Sequence, residues 1–143
     1  MYIIAVSKKN LDNKKFSWIK NIIYIGMTNS KGGLKQRLRQ FENTILCKHI
    51  QHGGADRVRF DYNNTKDFYV SVLFFKCNNF KKKEDLSYED YIQLGLVACF
   101  EYICFAEFKK RFGELPKYNQ SSSKKYSKEK NKNAILKIIN KIK

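Results

Sequence analysis

The sequence is poor in several things at once. Its 143 residues hold one proline, seven glycines, two histidines and only 13 acidic residues. No run of about 18 uninterrupted apolar residues occurs, which argues against a transmembrane span. The start, Met-Tyr-Ile-Ile-Ala-Val, has no charged segment before its short apolar run and does not read as a signal peptide. The four cysteines, Cys47, Cys77, Cys99 and Cys104, include no C-x-x-C pair, and the closest two are separated by four residues of an apolar stretch. Zinc is therefore not expected, and buried free thiols in a reducing cytoplasm are. Arginine is scarce too: Arg37, Arg39, Arg57, Arg59 and Arg111 are all there is, against 24 lysines.

What is present is apolar mass and positive charge. Apolar residues make up 43% of the chain and 21 aromatics run through it, enough to exclude a disordered basic protein. The length suits one ordinary domain. The net charge of +16 should attract polyanions at long range, nucleic acid being the commonest such partner, with an anionic membrane or a plain solvated basic surface as the other readings. Abundant Lys, Asn, Ile, Tyr and Phe also suggest an AT-rich genome, so codon usage accounts for part of that charge. Residues 117–143 carry nine lysines and one acid, half of the whole excess. The chain thus divides into a domain over 1–119 and a lysine-rich tail over 120–143. In the tail, 120–130 reads as a linker and 134–142 as a short amphipathic helix.

The periodicities predict an α+β fold, a small antiparallel sheet of about three strands flanked by helices. Residues 2–6 and 21–26 read as strands joined by a long polar connection, and 67–77 as a third. Leu34, Leu38, Phe41 and Ile45 mark one face of a helix over 34–46. Residues 47–57, with His52-Gly53-Gly54, read as a loop. A long helix starts near Ser87, where Ser-Tyr-Glu-Asp resembles a capping box, and stops before Gly113. Between Leu94 and Phe108 its only charges are Glu101 and Glu107, which predicts a helix buried on most sides.

Four short pieces then fall in a telling order. Tyr24-Ile25-Gly26 closes the second strand. Met1-Tyr2 opens the first, with Met1 where an isoleucine would stand in the pattern concerned. Leu34-Lys35-Gln36-Arg37-Leu38 opens a helix with Arg37 on its apolar stripe. Glu107 lies twelve residues before Asn119 of Pro116-Lys117-Tyr118-Asn119. Together they resemble the GIY-YIG nucleases over residues 1–119, with the first half of the signature eroded.

The resemblance implies a metal-dependent endonuclease hydrolysing DNA phosphodiester bonds. Arg37 would bind the phosphate, and Glu107 would hold one Mg²⁺ or Mn²⁺. Of Tyr2 and Tyr24, one would orient or deprotonate the attacking water while the other contacts phosphate or water. Asn119 would tie the closing turn to the site. The residues themselves agree with part of this: an arginine on an apolar stripe needs an anionic partner, and a guanidinium fork suits phosphate. Glu101 is about 240° around the helix from Glu107 and reads as a hydrogen-bonded buried or partner-facing group. Lys35, Lys48, Arg57 and Arg59 form the expected phosphate-tracking surface, positioning the duplex without reading bases. His49 and His52, in the loop where DNA would enter, read as nucleic-acid contacts or a general base against the plainer reading of solvated loop histidines. The expected partner is double-stranded DNA, with RNA as a competitor and no membrane. No separate reading domain fits in the chain, so specificity would come from core loops, a homodimer or a partner chain. The expected location is cytoplasmic, nucleoid-associated in a bacterium. The alternative is a non-catalytic nucleic-acid-binding module on the same fold.

Overall fold

The computed structural model describes residues 1–49, 52–75 and 83–120. The tail elements expected beyond residue 120, Cys77 and the last residues of the expected 67–77 strand lie outside that set. The architecture is α+β: a three-stranded antiparallel sheet with helices on both faces. Strand β1 (Tyr2–Val6) is central, between β2 (Ile22–Gly26) and β3 (Phe68–Val72).

β1 is apolar at every position because both of its faces are covered. Side chains alternate across a strand. Tyr2 and Ile4 point to one core, with Ile23, Phe41, Ile45, Ala55, Val58 and Tyr118. Met1, Ile3 and Ala5 point to the other, with Ile22, Ile25, Cys104 and Phe108. The β1–β2 ladder is irregular between Ile4 and Ala5, where Ala5 pairs with Ile22 and Ile4 with Tyr24. The extra residue lets Ile23 and Tyr24, neighbours in sequence, both pack on the Tyr2 side.

Helix α1 (Gly33–Ile45) covers that first face with Phe41, Thr44 and Ile45. A short helix α2 (Gly53–Val58) follows where a loop was expected. His52 starts it: its backbone is extended and its ring accepts the Ala55 N–H, capping a six-residue helix that opens on two glycines. Helix α3 (Tyr88–Phe112) packs on the second face. Ser87 and Asp90 form a reciprocal capping box at its start, and Gly113 ends it at φ 81°, a conformation that costs glycine nothing.

One expectation fails for α3. It is buried only along Val97, Cys104 and Phe108, while Tyr88, Tyr91, Ile92, Leu96, Tyr102 and Ile103 are exposed. A single sheet face can cover only one stripe, and no second described layer lies outside it. α3 is also long and apolar enough, by length and composition alone, to cross a bilayer, although its inner stripe belongs to the sheet core.

Candidate functional site

The sheet end where β1 begins and β2 finishes gathers the ionisable groups. Tyr2 pairs with Gly26 across the ladder, and Tyr24 lies two residues before Gly26 on the same face. Their ring centroids are therefore only 6.0 Å apart. Gly26 is required there: a Cβ would stand 2.7 Å from the Tyr24 ring and 2.8 Å from Tyr2. Gly54 does the same from the α2 side, where a Cβ would come within 2.5 Å of the Tyr24 ring. Two glycines thus make the slot that receives two tyrosines.

Arg37 reaches this slot from α1. Its charge acts on Tyr2, Tyr24, His52 and Glu101, four groups from four different segments. Its Nε is buried and has no hydrogen-bond partner among the described residues. Arg57 of α2 also acts on Tyr24, and its Nε is likewise buried without a partner, while one Nη donates to the Tyr118 carbonyl at 3.2 Å. A buried donor left unmet costs about 1–3 kcal/mol, so both guanidiniums favour an incoming anion.

Burial dominates the titration of the rest. It raises the phenols of Tyr2 and Tyr24, against which Arg37 works on both. It pushes the His52 imidazole down to about 4, with Arg37 helping. It raises the Glu101 carboxyl, opposed by a hydrogen bond from the Met27 N–H and by Arg37.

The carboxylate of this site is Glu101. The structure does not bring Glu107 to it. The helix face that carries Leu96, Phe100, Ile103 and Glu107 is largely a solvent face, since Leu96 and Ile103 are exposed. The stripe that meets the sheet is Val97–Cys104–Phe108, and Glu101 lies on it, four residues after Val97. Glu107 is six residues further on, about 9 Å along the axis and a third of a turn away. It is paired with Arg111 instead, at 2.6 Å. An i, i+4 Glu–Arg pair on an exposed helix face was the available sequence signal.

Asn119 does reach the sheet. Its Oδ1 accepts the Ile25 N–H and its Nδ2 donates to the Ile25 carbonyl, both at 2.8 Å. The 3-10 turn Lys117–Asn119 is held in turn by Asp61, which accepts from the Tyr118 hydroxyl and the Lys117 ammonium at 2.6 Å each.

The expected nucleic-acid surface is only partly a surface. Lys35, Lys48 and His49 are exposed. His52 and Arg59 are not. His52 is 1% exposed and lies behind Tyr2. The Arg59 side chain is equally buried; it pairs with Asp56 at 2.7 Å and donates to the Cys47 sulfur. α2, absent from the expected loop, is what turns both inward.

Among the described residues, no group of three or more His, Cys, Asp or Glu side chains could hold a metal ion by itself. A cavity of about 410 Å³ beside Ile3, Ala5 and Phe16 and another of about 580 Å³ beneath α1 both lie off this cluster. Compared with protein-family models, with curated proteins and with solved structures, the chain matches none.

Proposed function

We propose that the chain is an endonuclease that hydrolyses DNA phosphodiester bonds at the Tyr24–Arg37–Glu101 cluster, with a fold like that of the GIY-YIG nucleases. One observation carries the reading: a half-buried arginine whose Nε is unmet among the described residues stands among two tyrosines, a histidine and a glutamate drawn from four segments. Structural arginines are normally satisfied by the protein; this one fits a phosphate oxygen.

In this reading a water oxygen bonds to phosphorus as the bond to the 3′ oxygen breaks; the water's proton leaves to solvent, and the departing 3′ oxygen takes a proton from solvent. Arg37, with Arg57 beside it, binds the phosphoryl oxygens and offsets the charge that develops on them. A tyrosine hydroxyl orients the water. Glu101 would hold a Mg²⁺ or Mn²⁺. A lone carboxylate suits such an ion, which keeps most of its waters and takes a substrate phosphate oxygen. When bound, the ion supplies neutralisation of the leaving oxygen. Exposed Lys35 and Lys48 add non-specific phosphate affinity.

The test is cleavage of supercoiled plasmid with Mg²⁺ or Mn²⁺. Arg37→Ala and Glu101→Gln are each expected to lose about 10²–10³-fold in rate. No cleavage by the wild type, or undiminished cleavage by Arg37→Ala, would defeat the proposal. The raised phenols of Tyr2 and Tyr24 favour a second reading, a nucleic-acid-binding module without catalysis. Salt-dependent DNA binding with no metal-dependent cleavage would select it.

A further inference from the structure

Two tyrosines stand in the slot, but they are not equivalent. Tyr2 is fully buried, at 0% exposure, whereas Tyr24 is only half-buried. The Tyr2 hydroxyl is also already engaged, 2.7 Å from Nε2 of His52.

The direction of that hydrogen bond follows from a backbone amide. The Ala55 N–H donates to Nδ1 of His52 at 3.2 Å. A ring nitrogen that accepts a hydrogen bond carries no proton of its own. Buried as it is and beside Arg37, the imidazole is neutral at pH 7. A neutral imidazole has one N–H, so the proton is on Nε2. That N–H faces the Tyr2 oxygen and donates to it. Ring contacts hold the orientation, with Phe41 edge-on at 5.0 Å and Tyr24 edge-on at 5.8 Å.

The Tyr2 hydroxyl proton is consequently turned away from His52. Its neighbours on the open side are Arg37, a donor only, and Tyr24. Resting on the nuclease reading above, we propose that His52 and Tyr2 form a positioning relay behind Tyr24, with His52 donating Nε2–H to the Tyr2 oxygen, Tyr2 directed at Tyr24, and Tyr24 the tyrosine that meets the attacking water. Tyr2 then never touches substrate. It sets the orientation of the hydroxyl that does, and α2 exists in the fold to hold the histidine that sets Tyr2.

The bond has a direct readout. The chain has two histidines, so the imidazole nitrogen spectrum of the uniformly ¹⁵N-labelled protein is simple to assign with His49→Gln. At pH 7 His52 is expected as the Nε2–H tautomer; a protonated Nδ1 or an imidazolium overturns the proposal. The role is read from kinetics on plasmid DNA. His52→Asn keeps an acceptor for the Ala55 N–H, but its amide N–H is too short to reach Tyr2; the longer His52→Gln side chain brings an N–H to Tyr2. The former should lower kcat about ten- to hundredfold with KM within about threefold, and the latter should restore most of it. Should His52→Asn not fold, Tyr2→Phe removes the receiving oxygen and keeps the ring. Tyr24→Phe is expected to cost more than Tyr2→Phe. The reverse order, or equal defects in the Asn and Gln variants, overturns the relay while leaving the nuclease reading standing. A wild type that cuts no DNA overturns the nuclease reading and the relay's catalytic role together, with the nitrogen spectrum still deciding the hydrogen bond.

Discussion

The two faces of the sheet are built from the same strands and do different work. On the α3 face, Met1, Ile3, Ala5, Ile22 and Ile25 meet Cys104 and Phe108, apolar side chain against apolar side chain. On the α1–α2 face, Tyr2 and Tyr24 lie over a similar aliphatic floor, but their hydroxyls meet His52 and Arg37. The first face is paid for in burial alone; the second gives up some of that gain to carry polar groups out of water. Glu101 is the exception that joins them: it springs from the α3 stripe and acts on Tyr24 and Arg37 at the sheet end.

That contrast can be broken at four points. The largest effect belongs to the α3 face. Ile3→Ala should cost about 2–5 kcal/mol of stability, measured by urea unfolding, while cleavage per folded molecule stays unchanged. If cleavage per folded molecule falls with it, the faces are not separable.

Next comes the buried imidazole. His52 takes a proton near its ordinary value when unfolded, but only at about 4 when folded. The unfolded state therefore binds the proton first as pH falls. The stabilisation is complete above the ordinary value and is lost as pH drops toward about 4, by on the order of 3 kcal/mol. Glu101, whose raised carboxyl works in the opposite sense, cancels when the pH dependence is taken as wild type minus His52→Asn.

Gly54→Ala tests the slot. Its Cβ would overlap the Tyr24 ring, so a loss of about 1–3 kcal/mol is expected, with cleavage falling further than stability accounts for. The smallest effect is expected of Glu107→Gln. Its partner Arg111 is half-exposed, so stability should move within about 0.5 kcal/mol and the cleavage rate within about twofold. A large loss there would return the catalytic carboxylate to Glu107.

The strands β1 and β2, helix α1, the Ser87 start and the Gly113 stop of α3 are all legible in the sequence, because each rests on local periodicity or a local cap. So is Arg37, which its own helix stripe turns inward. The misses share a different cause. α2 is six residues opening on Gly-Gly, too short for any period, and its cap is a histidine, not one of the usual capping residues. Without α2, His52 and Arg59 look like surface cations. The choice between Glu101 and Glu107 depends on which stripe of an almost wholly apolar helix finds the sheet, and on such a helix no polar face marks the outside. A twelve-residue spacing along the chain cannot decide a rotation about the helix axis.

The clasp of Asn119 on Ile25 has a consequence for self-association. β2 is an outer strand of the sheet, and its outward N–H and C=O at Ile25 are the groups a foreign strand would need. A side-chain amide already occupies both, in the manner of a one-residue strand. The residue that fastens the closing turn therefore also caps this point of the sheet edge against strand addition.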